Sequence, residues 1–398
     1  MKTVGIIAEY NPFHNGHAYH ISETRKRVGE DVTVVVVMSG DFVQRGETAV
    51  FNKYVRAEAA CRCGADLVLE LPLPWSLSSA EGFAKAGLEI LDAFGIDILS
   101  FGCESTNLSE LTEVAEILLR DDLPVLVRSQ LKKYPETSFA SARQVVVEEL
   151  LGKKMDFMSQ PNSILAIEYL KTIKKEKLSV SPLAIQRYGS QHDELGGDSF
   201  PSASELRSRI TESKSITGML PYSAESLYLR ELDAGRGVTA AERLDLLMLS
   251  RLRFLEEGDY LTLPDVDEGL ARRIVHAVKR EKDYSSILRT VSTRRYPLSR
   301  IRRVLFYAAL GIKEDDMKRN PSYLRVLAFN DRGQELLHNR KETSLPILTK
   351  PAQVHSLSKE AAECYMLGSV SHDFYTLFYP SAEGHSAGEE WYRKPAVC

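Results

Sequence analysis

The chain is 398 residues long, 43 % hydrophobic and 27 % charged, which is enough material for a sizeable core and for two domains. Its formal charge of −4 excludes a molecule coated in basic surface, so any contact with nucleic acid has to be local. The longest mostly apolar runs, such as Thr33 to Met38 and Ala65 to Leu71, fall far short of the roughly 20 residues of a membrane-spanning helix, and Met1 to Gly5 lead straight into a strand-like run without a secretory signal, so the expected compartment is the cytoplasm.

Val4 to Tyr10 is apolar and β-leaning, turn residues follow, and Ala18 to Val28 reads as a helix that Gly29 ends. Val32 to Met38 is a continuous β-branched run, the pattern of a strand buried on both faces of a parallel sheet, and it closes on Ser39-Gly40-Asp41. Asn52 suits the N-cap of a helix closing at Gly64; Ala65 to Leu71 then reads as strand, Ser79 to Phe94 as helix and Ile96 to Phe101 as strand. This βαβα alternation predicts a parallel sheet with ligands beyond the carboxyl ends of its strands, at Glu9-Tyr10, Ser39-Gly40 and Gly102-Cys103. From Leu108 to about Lys177 the pattern is helical, with Pro161 at a first-turn position, and Leu183 to Gln186 supplies one more strand before Arg187-Tyr188-Gly189. Ser202-Ala203-Ser204-Glu205 has the spacing of a capping box for a helix through Ile210. Beyond about Glu212 the strand signal almost vanishes and a 3.6-residue period takes over. The expected architecture is therefore a Rossmann-like α/β domain over residues 1–215 and an all-helical domain over 216–398, with a loose stretch from Pro380 onward.

The chemistry concentrates in the first turn. Asn11-Pro12-Phe13-His14-Asn15-Gly16-His17 lies between the first strand and the first helix, so two imidazoles converge on a helix N-terminus, where unpaired N–H groups and the helix dipole favour an anion. Gly16 lets a phosphate approach the backbone, and His14 and His17 are suited to donate to phosphate oxygens as charge grows on them during attack at the α-phosphate of ATP. A helix cap or a His-x-x-His metal pair are the competing readings. No third ligand stands nearby in sequence, and Cys61 and Cys63, two apart on a helix, point in different directions, so no protein metal site is predicted. The five cysteines show no framework spacing and are expected as thiols.

The run from Gly5 to His17, followed by Val36 to Gly46 (VVMSGDFVQRG), Phe101-Gly102-Cys103-Glu104, Gln160-Pro161-Asn162-Ser163, Gln186-Arg187-Tyr188 and Ser202 to Arg207, resembles the bacterial tRNA(Met) cytidine acetate ligase family, within the wider HIGH-type nucleotidyltransferases. The resemblance covers the N-terminal half well and the helical half less sharply. It implies an ATP-dependent, C–N bond-forming ligase that makes acetyl-adenylate from acetate and then acetylates N4 of the wobble cytidine of elongator tRNA(Met). Carried over by position, the ATP site would comprise Ile7, Ala8, Glu9, Tyr10, Asn11, Pro12, Phe13, His14, Asn15, Gly16, His17, Ala18, Tyr19 and His20, with Gly102, Asn162, Arg187 and Tyr188. Gly102 would admit the adenine or ribose to the backbone, Asn162 offers a donor and an acceptor, and Arg187 is a permanent cation; a loop glycine, a helix cap and a surface charge are the plain alternatives. Ser202, Ser204 and Arg207 would embrace the distal phosphates, unless they are only a capping box, and the loop Asp41-Phe42-Val43-Gln44-Arg45 beyond the second strand, Gly40 and Asp41 above all, would hold acetate or cover the reactive anhydride. Magnesium is expected only as the companion of ATP.

Between Ala271 and Arg303 stand eleven Lys or Arg and two acids, so a local basic face is expected there, with Arg294, Arg295, Arg300, Arg302 and Arg303 gripping tRNA phosphates and Tyr296 stacking on an unpaired base. A solvated, ion-paired helix face is the alternative. Two rival functions share the first turn: a small-molecule adenylyltransferase, which would hardly need the helical half, and an RNA-binding protein regulated by a nucleotide.

Overall fold

The computed structural model describes residues 2–187, 201–340 and 343–398. Its strands, in chain order, are β1 (Thr3–Ala8), β2 (Thr33–Ser39), the short hairpin β3 (Phe42–Val43) and β4 (Glu47–Thr48), β5 (Leu67–Leu71), β6 (Ile98–Cys103), β7 (Ser181–Gln186), β8 (Leu324–Phe329), β9 (Ile347–Leu348) and β10 (Ala396–Val397). The main sheet has the order β10-β8-β5-β2-β1-β6-β7, with β9 attached to β8. β1 pairs in parallel with β2 and with β6, β2 with β5, and β6 with β7, while β8 runs antiparallel to β5. The uninterrupted apolar run of β2 follows from this position: successive side chains point to opposite faces, and both faces are covered. Val35 and Val37 pack into a core with Leu67, Leu69, Phe83, Leu88 and Ala166, whereas Val34 and Val36 pack on the other side with Ile21, Val55 and Tyr228.

The helices of the first half are α1 (Asn15–Val28), α2 (Lys53–Arg62), α3 (Ala80–Phe94), α4 (Leu108–Leu118), α5 (Leu123–Lys133), α6 (Phe139–Leu151), α7 (Pro161–Lys175) and α8 (Ala203–Thr211). The caps expected at Asn52 and Ser202 are in place, accepting from Val55 N and Glu205 N, and Ser79, read as the first helical residue, caps α3 by accepting from Gly82 N. The second half adds α9 (Tyr222–Asp233), α10 (Ala241–Leu252), α11 (Glu257–Tyr260), α12 (Glu268–Arg280), α13 (Tyr284–Val291), α14 (Leu298–Leu310), α15 (Glu314–Met317), α16 (Asp331–Asn339) and α17 (Lys359–Thr376). Met248, Leu252, Ile274, Ile287 and Leu305 form a separate apolar core there, and Phe42, Leu73 and Leu77 of the first half reach into it.

Two expectations are corrected. The second half is not all helical, because β8, β9 and β10 lie in or on the main sheet. Nor is the segment after Pro380 loose. Glu390 is fully buried, and its carboxylate pairs with Lys53 Nζ at 2.8 Å, accepts from Tyr54 Oη at 2.9 Å and pairs with Arg325 of β8. The β8 strand carries a buried arginine because that cation has Glu390 and, at 3.6 Å, Glu70 as counter-charges.

Candidate active site

The carboxyl ends of β1, β6 and β7 open into a cleft of about 740 Å³, the size of a nucleotide or drug-sized ligand pocket. Between β1 and α1 the chain turns with Tyr10 in the left-handed region (φ +46°), its ring clamped between Phe13 and His17. His14 is the N-cap of α1, and its Nδ1 accepts from Gly16 N at 3.0 Å; His17 Nδ1 reaches back to accept from His14 N at 3.2 Å. The two rings stack with centroids 3.8 Å apart. This reciprocal cap fixes the tautomers: with each Nδ1 accepting, the ring proton sits on Nε2, and each imidazole is left as a donor. Burial, then Arg187 and Arg207, lowers the His14 pKa to about 4, and burial, then His14 and Arg187, carries His17 well below its ordinary value. Both rings are therefore neutral donors at pH 7. The structure gives a reason of its own for glycine at position 16: an added Cβ would lie 2.9 Å from His14 Cε1.

Of the stretch from Ile7 to His20, the lining residues are Ile7, Ala8, Glu9, Tyr10, Asn11, His14, Gly16, His17, Tyr19 and His20; Pro12, Phe13, Asn15 and Ala18 lie behind them. Phe13 is buried with its N–H donating to Tyr228 Oη at 3.0 Å, and Asn15 Nδ2 donates to Met219 O at 3.2 Å, so these two pin the turn to the region around α9. Asn11 accepts from Val50 N through Oδ1. His20 places Nε2 2.9 Å from Ser100 Oγ on β6, and its pKa is lowered to about 4 by burial and Arg187.

Sequence reasoning missed the group that holds the strand ends together. Arg56 on α2 is 0 % exposed and donates to the carbonyls of Glu9, Ser39, Gly40 and Phe51. It looks like an ordinary helix-surface arginine, and the carbonyls that give it a role at β1 and β2 carry no side-chain signal.

Gly102 lines the cleft beside Arg187, whose Nη1 donates to Asn162 Oδ1 at 3.1 Å. Asn162 in turn donates to Glu104 Oε1, and Glu104 Oε2 accepts from Ser163 N and Oγ, so Glu104 anchors the start of α7. Ser202, Ser204 and Arg207 also line the cleft; Arg207 donates to Asn11 O at 2.9 Å and to Ser204 Oγ at 3.1 Å. Tyr188 lies outside the described residues.

The segment after β2 differs from the expectation. Asp41 is buried away from the cleft, its Oδ2 2.7 Å from His372 Nδ1 and its Oδ1 accepting from Lys53 N, and Gly40 O is bound by Arg56, so neither is free to hold acetate or to close as a lid. Of the same loop, Gln44 and Arg45, at the tip of the β3–β4 hairpin, do line the cleft. Gly46 takes φ +76°, and a Cβ there would strike Arg302 Cβ and Arg303 N at 2.6 Å, so the hairpin is seated on the start of α14. That contact brings Leu298, Ser299, Arg302 and Arg303 into the cleft wall, and Arg302 pairs with Glu47.

The other basic residues are distributed. Arg294 and Arg295 are exposed and pair with Glu136 and Asp267, and Arg300 donates to Asp265 O. Tyr296 is only 5 % exposed, its hydroxyl donates to Asp267 Oδ1, and Arg295 and Arg300 flank its ring at 5.3 and 5.4 Å. The ring is thus not available to stack on a base. Among the described residues no group of three or more His, Cys, Asp or Glu has the arrangement to hold a metal ion, and no helix is long and apolar enough to cross a membrane.

A family model described as HIGH Nucleotidyl Transferase matches residues 1–390. The tRNA(Met) cytidine acetate ligase of Thermosipho melanesiensis is 34 % identical over 100 % of this chain and 99 % of its own length, and that of Acetivibrio thermocellus is 34 % identical over 98 % of each. A crystal structure of Thermotoga maritima TmcAL bound with alpha-thio ATP superposes with a TM-score of 0.90 at 30 % identity, covering 100 % of this chain and 99 % of that one. With that agreement running through both halves, the strand-returning second half included, the chain belongs to the HIGH nucleotidyl transferase family and, within it, to the tRNA(Met) cytidine acetate ligases.

Proposed function

We propose that this protein condenses acetate with ATP to give acetyl-adenylate and pyrophosphate, and then transfers the acetyl group to N4 of the wobble cytidine of elongator tRNA(Met). The observation that carries the reading is the pair of neutral imidazoles at the start of α1, each with its Nδ1 tied to a backbone N–H and its Nε2–H left to donate. Such donors need no reorganisation as charge builds on the phosphoryl oxygens. Arg187 on one side, and Ser202, Ser204 and Arg207 at the start of α8 on the other, supply the charge and the helix N-terminus that a triphosphate needs. Magnesium enters with ATP as part of the substrate. The anticodon arm is taken up by the arginines of α14 and of the loop before it. Arg302 and Arg303 stand in the cleft wall, while Arg294, Arg295 and Arg300 lie outside it as phosphate contacts.

His14→Ala and His17→Ala are each expected to lower acetate-dependent exchange of labelled pyrophosphate into ATP by about 10²–10³-fold, the loss typical of one oxyanion donor. Wild-type protein should yield N4-acetylcytidine in bulk bacterial tRNA, seen by nucleoside mass analysis. Exchange at the wild-type rate in both variants would defeat the role given to the histidines.

A further inference from the structure

The cleft is lined by arginines at positions 45, 187, 207, 302 and 303, as suits anionic substrates, yet one lining side chain is an acid. Glu9, at the end of β1, is the only carboxylate among the described lining residues. It is half-buried, its Oε1 accepts from Gln44 N at 3.0 Å, and Arg56 holds its backbone carbonyl, so the side chain is fixed in place and faces the cleft. A negative charge there is unfavourable for binding ATP or acetate, so its presence calls for another use.

Transfer of the acetyl group supplies one. The exocyclic amine of cytosine is a poor nucleophile whose nitrogen must shed a proton as it acylates, and the cleft has few groups able to take it. His14 and His17, each with Nδ1 accepting from a backbone N–H, carry the proton on Nε2 and are set to donate, and His20 engages Ser100 through its own Nε2. Burial also makes His14 and His20 weak bases, with pKa values of about 4. Burial raises the Tyr10 and Tyr169 phenols above their ordinary values, and the arginines are permanent cations.

We propose that Glu9 is the catalytic base of the acyl-transfer step, receiving the proton that the nucleobase amine loses as it attacks the acetyl carbonyl. The N4–C bond forms, the bond from the acetyl carbon to the phosphate oxygen breaks, AMP departs with that electron pair, and the amine proton passes to the Glu9 carboxylate and from there to solvent. The groups facing Glu9 tune it. Burial raises its pKa, Arg45, Arg207 and the Gln44 N–H lower it, Glu47 raises it, and the net shift is upward. An upward shift brings a carboxylate closer to the proton affinity a base needs at neutral pH. Making acetyl-adenylate calls for no base, since both reacting groups are already anionic.

This assignment rests on the ligase reading, and the test separates the two. Glu9→Gln keeps the shape and the acceptor for Gln44 N–H. Full-length wild type and Glu9→Gln would be compared in two assays: acetate-dependent pyrophosphate exchange into ATP, and single-turnover acetylation of tRNA from supplied acetyl-adenylate. Transfer is expected to fall by about 10²–10⁴-fold, at least tenfold beyond whatever change in exchange follows from removing a charge that lines the ATP cleft. In the wild type the transfer rate should rise with pH through the raised Glu9 pKa, and this limb should be absent from the variant. Equal losses in both assays would place Glu9 in the first step and overturn the proposal, as would transfer near the wild-type rate or an unchanged pH limb. A wild-type protein with neither exchange nor transfer would overturn the ligase reading and Glu9's role with it. If Glu9→Gln failed to fold, judged by its melting transition, Glu9→Asp would be read in the same two assays, again with transfer lost ahead of exchange.

Discussion

The reciprocal cap between His14 and His17 depends on a residue with no side chain. Gly16 is the second residue of α1, where helix propensity alone would favour alanine by up to about 1 kcal/mol. A methyl group at that point would meet the His14 ring at 2.9 Å, displace it, and break the hydrogen bond that keeps the proton on Nε2. Gly16→Ala should therefore leave the melting temperature nearly unchanged and reduce pyrophosphate exchange by about 10²-fold, a loss that small misplacements in active sites bring about. Exchange at the wild-type rate would show that the ring tolerates the shift. At this scale much was legible in the sequence. His14, Gly16 and His17 announce themselves because they act on one another within a single turn. Arg56 and Glu104 do not, because their partners lie up to 47 and 59 residues away and one of them binds only carbonyls.

Elements come next, and here the contact between α17 and the end of β2 decides stability. His372 on α17 is fully buried between Asp41 and Glu389, with Tyr54 and Tyr375 against its ring and Lys53 nearby. Burial alone would lower its pKa, but the two carboxylates outweigh burial and raise it; for Asp41 burial is outweighed by His372, Lys53 and Arg56, and its pKa falls. The signs fix the pH window. The His372 contribution is complete below its unfolded value of about 6.5 and is lost as pH rises through the raised folded value, whereas that of Asp41 is present above about 3.9 and lost in acid. Removing the imidazole with His372→Ala leaves Asp41 buried without its hydrogen-bonded ionic partner. The unfolding free energy near pH 6 should then drop by about 3–5 kcal/mol, with the gap to wild type narrowing toward pH 9. Urea titrations at the two pH values measure this, and a gap independent of pH would remove the ionic account. The pair is invisible in sequence because its members stand 331 residues apart. β8 is hidden for a related reason. Its Leu-Arg-Val-Leu-Ala-Phe carries a charge where a central strand should be apolar, and only Glu390 and Glu70, supplied from elsewhere, make that arginine acceptable.

For the molecule as a whole, the switch from βαβα alternation to helical periodicity near residue 212 suggests a seam that the sheet does not respect. β5 pairs with β8, and β8 with β10, so the second half completes the sheet of the first. The sequence legibly specifies the parallel strands β5, β2, β1 and β6, because each is a short apolar run set off by turn or helix signals, but it says little about which late segment covers β5. A fragment of residues 1–215 would expose the β5 edge and leave Lys53 without Glu390. It is expected to aggregate, whereas the full chain should unfold in one transition when followed by far-UV and near-UV circular dichroism. A monodisperse fragment with native-like ellipticity would show that the halves fold independently.

The antiparallel partnership of β5 and β8 also sets a clock on biosynthesis. Some 250 residues separate Leu71 from Leu324, and at about 5–20 residues per second a ribosome needs on the order of tens of seconds to cover them. For that interval the nascent chain carries β5 without its eventual neighbour, long after β1, β2 and the histidine turn have emerged. The histidine turn is among the first parts made, and the sheet that supports it is among the last to close.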